Sequence, residues 1–117
     1  MFTGDKPIYK QIKDIVKRNI LNDTWEESKK IPSVRDLSSK MSVNPNTIMR
    51  AFRELQNEEI LLNKRGIGNI VKEGARDRIF KEKQNNFKNY KIVNIIKEAK
   101  LLNISKADFV EIVNNKW

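Results

Sequence analysis

The sequence predicts a mainly α-helical chain interrupted by one small β-hairpin and closed by two further helices. Three observations predict it. Ile8, Ile12, Ile15, Val16 and Ile20 recur at helical spacing. Asn44-Pro45 stands directly ahead of a second apolar stripe, Ile48, Ala51, Phe52 and Leu55. Two short apolar runs, Ile60-Leu61-Leu62 and Asn69-Ile70-Val71, flank the turn NKRGIG.

The elements follow in order. Pro7 suits the first turn of a helix, where its missing N–H costs nothing, so the first helix is predicted over 7–22. The polar stretch NDTWEESKK reads as a loop, with Trp25 anchoring it to the core. Ile31-Pro32 forces an extended step. Ser33 then caps a short helix from Val34 to Met41, with Asp36 three residues on as a short-armed capping box. Val34, Leu37 and Met41 are predicted to point inward, and a tight turn runs through Ser42-Val43.

Asn44 is a good N-cap for the third helix, because its side-chain oxygen can accept from the exposed N–H groups of the first turn. Pro45 becomes the first helical residue, preset in φ, so this proline starts a helix rather than breaking one. The helix is predicted to end near Asn57. Asn44, Pro45, Asn46, Thr47, Met49, Arg50 and Arg53 fall on or near its outer, N-terminal part. Short donors and acceptors with an arginine are the residue types that reach base edges in a DNA major groove; a solvated polar face has the same composition. After the short strands at 60–62 and 69–71, glycines at 66 and 68 allow positive φ in the turn. Lys64 and Arg65 at its tip are placed for phosphates or the minor groove. Three helices followed by a basic hairpin make a winged helix-turn-helix, assigned to residues 1–74.

Beyond Gly74, ARDRIFKEKQNNFKNYKIVNIIKEAKLLN has neither Pro nor Gly. Residues 75–102 read as one long helix, bent near Asn85-Asn86. Ile104-Ser105 breaks it, and Ser105, with Asp108 three residues on, caps a last helix. Residues 75–117 therefore form a helical tail. Two helices appended to a small domain must bury an apolar stripe, and a second copy of the chain is the simplest partner. The residues expected to do so are Ile79, Phe80, Phe87, Tyr90, Val93, Ile96, Phe109, Ile112 and Val113; the alternative is that the tail folds back on its own winged domain.

Composition narrows the function. The 117 residues suit one domain, or one with an appendage. Net charge is +9, from 24 basic and 15 acidic side chains, which points to a polyanion and first of all to double-stranded DNA. The charge is spread over both parts: 14 basic and 10 acidic in 1–74, and 10 basic and 5 acidic in 75–117. There is no cysteine and no histidine, so thiolate zinc sites, a cysteine nucleophile and the commonest general base are excluded. No paired carboxylates with supporting residues and no phosphate-binding glycine loop are present, so no catalytic residue, metal ligand or cofactor is expected. Apolar runs are too short to span a membrane, and the N-terminus has no signal core, which places the chain in the cytoplasm.

The run IPSVRDLSSKMSVNPNTIMRAFRELQNEEIL, followed by KRGIGNIV, resembles the DNA-binding domain of GntR-type bacterial transcription regulators. The resemblance is strongest over 7–72, and the helical tail is similar to that of the YtrA-type branch, where it is mainly a dimerisation arm. The resemblance implies a homodimeric repressor on a pseudo-palindromic operator, often with transporter or cell-envelope-stress genes as targets. It implies that Arg35 contacts phosphate and base, that Asn44, Asn46, Thr47 and Arg50 lie in the recognition helix, and that Arg65 and Gly66 form the wing tip. Relatives usually carry glycine a few residues before the Pro-Ser pair and before the first wing strand, where this chain has Glu26 to Ser28 and Glu59. Met49 stands where some branches place a basic residue, so base preference need not transfer. A small-molecule effector is left open; the cleft between winged domain and tail, or the dimer seam, is its natural place, with Tyr90 and Trp117 as candidate lining. The competing reading is a winged-helix protein-interaction module without specific DNA binding.

Overall fold

A computed structural model of the protein describes residues 2–117. The order of elements is α1 (Ile8–Leu21), α2 (Val34–Met41), α3 (Pro45–Asn57), β1 (Leu61–Lys64), β2 (Gly68–Val71), α4 (Ala75–Asn86), a π-helical turn (Phe87–Lys91), α5 (Ile92–Leu101) and α6 (Lys106–Lys116). The fold is mostly helical with one antiparallel hairpin, as the sequence predicts. Two compact units divide at Phe80 and Lys81.

The first unit is built around the predicted stripes. Ile12, Val16 and Ile20 of α1, Leu37 of α2 and Ile48, Ala51, Phe52 and Leu55 of α3 form one buried cluster with Ile60, Leu61 and Val71. Pro7 is the N-cap of α1 rather than its first helical residue. At α2 both halves of the capping box form: the Asp36 N–H donates to Ser33 Oγ at 3.0 Å, and the Ser33 N–H donates to Asp36 Oδ2 at 3.3 Å. The turn into α3 is tight because Ser42 takes a left-handed conformation (φ 55°), while Ser38 Oγ donates to the Val43 carbonyl at 2.6 Å.

The hairpin register pairs Leu61 with Val71 and Lys64 with Gly68. The first strand thus starts and ends later than the 60–62 run read from the sequence, because Ile60 is held by a bond from its N–H to the Leu55 carbonyl. The loop after α1 is more ordered than its polar composition suggests. The Ser28 N–H donates to the Val71 carbonyl, Val71 N–H to Lys29, and Ile31 N–H to Asn69. This segment lies along the outer edge of β2 and satisfies backbone groups a two-stranded sheet would leave open. Trp25 packs against the core as predicted.

In the tail, the long helix predicted over 75–102 departs from regular α geometry just past Asn85-Asn86, where the bend is predicted. Asn86 is regularly helical (φ −61°, ψ −43°), and the irregularity is the π-helical turn that follows it. That turn adds a residue to one helical turn and so shifts the phase of the apolar stripe on α5 relative to α4. Asn103, left-handed at φ 59°, ends the helix, and Ser105 caps α6 by accepting from the Asp108 N–H at 3.1 Å. Within the second unit Ala99 is buried and Ile92 and Phe109 are partly so. An apolar groove of about 340 Å³ lies between α5 and α6, lined by Ile96, Ala99, Ile104, Phe109 and Val110.

One expectation for the tail is corrected. Ile79 was expected at a dimer seam, but it is fully buried and belongs with Ala75 to the core of the first unit. The first turns of α4 cover the winged domain's own apolar surface, which leaves Ile79 nothing to offer a partner. Phe80, Phe87, Tyr90, Val93, Ile96, Ile112 and Val113 are exposed.

Candidate nucleic-acid interface

The residues expected to meet DNA come from three places in the first unit: the start of α2, the N-terminal half of α3, and the hairpin tip. At α3 the sequence dictates the arrangement. Asn44 Oδ1 accepts from the Asn46 N–H at 2.8 Å, and Pro45 occupies the first helical position. The side-chain oxygen of Asn44 is therefore engaged in the cap, and its amide is the group that remains for an outside partner. Because Ile48, Ala51, Phe52 and Leu55 face the core, Asn46, Met49, Arg50 and Arg53 are left exposed, and Thr47 is half-buried. Arg35, second in α2, is exposed as well.

At the hairpin tip Lys64, Arg65 and Gly66 are exposed. Gly66 (φ 81°) and Gly68 (φ 114°) adopt conformations that a side chain would strain, so these glycines make the turn possible. Gln56 Nε2 donates to Asn69 Oδ1 at 2.8 Å, which ties the end of α3 to β2 and fixes the wing against the helix.

One flank of α3 is held on α1 by a ladder with a constant offset. On α1, Tyr9, Lys13 and Lys17 are four residues apart; Arg50, Glu54 and Glu58 repeat that spacing along α3 and its C-cap. Each meets its opposite number. The Arg50 guanidinium carbon lies 3.7 Å from the centre of the Tyr9 ring. Lys13 Nζ is 2.9 Å from Glu54 Oε1, and Lys17 Nζ is 3.0 Å from Glu58 Oε1. Lys13 also pairs with Glu58, and Arg50 Nε lies 3.7 Å from Glu54 Oε2. Lys17 is only 4 % exposed, so a carboxylate beside it is what makes its burial tolerable. Burial pulls the Lys13 pKa down, but the bonds to Glu58 and Glu54 outweigh it and hold the amine above its ordinary value. The Glu54 carboxyl is lowered, chiefly by the bond from Lys13. For Glu58 burial acts upward, yet the bonds from Lys13 and Lys17 prevail and lower it.

Sequence patterning does not single out Tyr9. Its signal is the shared four-residue spacing of Tyr9, Lys13 and Lys17 with Arg50, Glu54 and Glu58, which becomes informative only once α1 and α3 are known to lie side by side. Among the described residues no group of His, Cys, Asp or Glu is arranged to hold a metal, and no helix is long and apolar enough to cross a membrane.

Three helices with a basic, glycine-turned hairpin packed on the third define a winged helix-turn-helix. Residues 8–71 match the family described as "Bacterial regulatory proteins, gntR family", and the chain belongs to that family of DNA-binding transcription regulators, which are not enzymes. Among curated relatives, it is 31% identical over 110 residues to the uncharacterised HTH-type transcriptional regulator YhcF of Bacillus subtilis, covering 94% of this chain and 89% of YhcF. It is 36% identical over 77 residues to the HTH-type transcriptional repressor YtrA of the same organism, covering 66% of this chain and 59% of YtrA. Among solved structures, a GntR family transcriptional regulator from Listeria monocytogenes aligns over 97% of this chain and 98% of its own, at 35% identity and TM-score 0.74. A GntR-family regulator from Bacteroides thetaiotaomicron aligns over 92% and 94%, at 34% identity and TM-score 0.81.

Proposed function

We propose that this chain is a homodimeric, sequence-specific repressor that acts in the cytoplasm on a pseudo-palindromic operator. One observation carries the reading. The outer face of α3 turns Asn46, Met49, Arg50 and Arg53 to solvent, on the same compact unit as the exposed basic tip Lys64-Arg65-Gly66. A helix end with amide and guanidinium groups fits the major groove, and a glycine-turned basic hairpin fits the backbone or minor groove beside it. In this reading Arg35, Lys64 and Arg65 meet phosphates, while Asn44, Asn46, Thr47, Met49 and Arg50 face base edges.

Repression is supported by the relative of that description, the YtrA repressor, to which this chain is 36% identical over 77 residues. The YtrA-type resemblance extends the reading to transporter or cell-envelope-stress genes as targets. Dimerisation is supported by the tail, where Phe87, Tyr90, Val93, Ile112 and Val113 are all exposed in a single chain. This many exposed apolar side chains in so short a tail suit an interaction surface, and two reading heads suit a two-fold site.

The test is a fluorescence-anisotropy titration with duplex DNA from the gene's own promoter against a scrambled duplex, at several salt concentrations. A preference of about a thousandfold with a steep salt slope is expected. Equal binding to both duplexes would refute sequence-specific reading of that promoter. No binding to either would leave the winged helix as a protein-interaction module.

A further inference from the structure

We propose that Tyr9, on α1 and outside the DNA-facing set, is a positioning residue for base recognition: its ring holds the Arg50 guanidinium ready to meet the edge of a guanine. This deepens the function proposed above and rests on its reading that the outer face of α3 meets base edges.

The argument begins with Arg50 itself. It is the first charged side chain of α3, since Pro45 through Met49 carry none, and Asn44 has its side-chain oxygen in the helix cap. Arginine recognises guanine through two in-plane N–H groups directed at O6 and N7. A long, free arginine samples many rotamers and loses most of them on binding. Here the guanidinium is held at two points. Its carbon sits 3.7 Å from the Tyr9 ring centre, and its Nε lies 3.7 Å from Glu54, which is itself fixed by Lys13 at 2.9 Å.

Stacking and base recognition do not compete for the same atoms. A cation over an aromatic ring uses the face of the guanidinium, whereas hydrogen bonds to a base use its edge. Tyr9 can therefore keep its hold while Arg50 engages a base. Tyr9 is in turn held: it is half-buried against the core cluster and is the first rung of the ladder that continues through Lys13 and Lys17. A rigid ring under a flexible cation is the arrangement that lowers the ordering cost of a contact without contributing a contact of its own.

The experiment uses the full chain. A duplex is selected from a random library by the wild-type protein, and every single-base-pair variant of it is titrated with wild type, Arg50→Ala, Tyr9→Phe and Tyr9→Leu. Thermal melting of each variant reports whether it folds. Arg50→Ala is expected to abolish discrimination at one base pair per half-site, on the order of 10- to 100-fold. Tyr9→Leu, which keeps apolar bulk but has no ring face, is expected to reduce discrimination at that same base pair by about two- to fivefold. Discrimination elsewhere and the salt slope should not change. Tyr9→Phe keeps the ring face and should behave as wild type.

Two results would overturn the proposal alone while leaving the parent reading intact. One is a Tyr9→Leu protein that discriminates as sharply as wild type at the base pair lost in Arg50→Ala. The other is a Tyr9→Leu protein that weakens all sequences equally or binds more tightly. If Arg50→Ala changes no position, or no duplex is selected, the base-reading assignment itself fails and the proposal falls with it.

Discussion

The carboxylate of Glu27 accepts the N–H of Gly74 at 2.6 Å, joining the loop after α1 to the start of α4. Its second oxygen accepts from the Arg76 N–H at 3.3 Å, so one side chain from early in the sequence caps a helix that begins more than forty residues later. Arg76 answers in the other direction, donating from Nη2 to the Leu21 carbonyl at 3.0 Å at the end of α1. An acid at a helix N-terminus satisfies otherwise open N–H groups and complements the helix dipole. Glu27→Ala is expected to lower stability by about 1–2 kcal/mol, and Glu27→Gln by less, since it retains an acceptor but no charge. Urea denaturation of the three proteins measures this, and an unchanged midpoint in Glu27→Ala would show that the cap contributes nothing.

Ser28 (φ 66°) and Glu59 (φ 64°) occupy the left-handed region without being glycine. These are the two places where the sequence resemblance marks a departure from glycine. A side chain in that region bears strain, on the order of 1 kcal/mol at each site. Ser28→Gly and Glu59→Gly are each expected to raise stability by about 0.5–1 kcal/mol, the gain trimmed by glycine's extra freedom when unfolded. Glu59→Gly also loses the ion pair with Lys72, an exposed pair of small worth. The check is thermal unfolding, where a fall in melting temperature for Ser28→Gly would contradict the strain argument.

How far the sequence speaks depends on how local the cause is. Caps were legible because each needs one residue and its neighbours: Ser33 with Asp36, Asn44 with Pro45, and Ser105 with Asp108 all form as the sequence predicts. The helix stripes were legible for the same reason. Three features were not. The pairing of residues 27–31 with β2 arises because an open strand edge lies nearby, which no periodicity records. The π-helical turn at Phe87–Lys91 leaves no break residue in the sequence. Ile79 carries the same signal as Phe80 or Phe87, and only tertiary packing distinguishes a core residue from an exposed one. The residues proposed to face DNA could be read as those facing away from a core stripe, but Tyr9 lies on another helix and joins Arg50 only after packing.

The ladder between α1 and α3 sets the pH response. The carboxyls of Glu54 and Glu58 titrate lower in the folded chain than in the unfolded one. The unfolded chain therefore takes up protons first, and their contribution, present above about pH 4.3, is lost as pH falls through the folded pKa. The Lys13 amine is raised, so its contribution is present below about pH 10.4 and lost as pH rises through the folded pKa. Stability should be flat near neutrality and decline at both ends. Glu58→Gln removes a charged partner of the buried Lys17, so a loss of about 1–2 kcal/mol at pH 7 is expected, with a shallower acid decline than wild type. Denaturant titrations from pH 3 to 11 test this, and an identical acid slope in Glu58→Gln would remove Glu58 from the account.

The wing and α2 should show in the salt dependence of DNA binding rather than in base preference. Arg65 at the exposed hairpin tip and Arg35 at the start of α2 are assigned to phosphates in the proposed function. Each phosphate contact releases about one counterion, so Arg35→Ala and Arg65→Ala should each lower the magnitude of the log–log salt slope by about one. Affinity for all sequences should fall together. Met49→Ala, at an exposed but uncharged position on α3, should leave the slope as it is and alter base preference only. A slope unchanged in both arginine variants would contradict the phosphate assignment.

The tail supplies the last prediction. Ile112 on α6 is 53 % exposed, contributes nothing to the core of the first unit and does not line the groove between α5 and α6. Replacing it by aspartate should therefore spare the fold of a single chain, because Ile112 is exposed and lies outside the buried cluster. In the proposed dimer it would bring a charge into a desolvated seam, where an unpaired carboxylate is costly. Ile112→Asp is expected to sediment as a monomer at micromolar concentration, with a melting curve close to wild type. With only one reading head bound at a time, affinity for a two-fold operator should fall by about a hundredfold, while affinity for a half-site duplex should not change. A variant that remains dimeric, or a wild-type protein that is already monomeric, would remove Ile112 from the seam or the seam from the function.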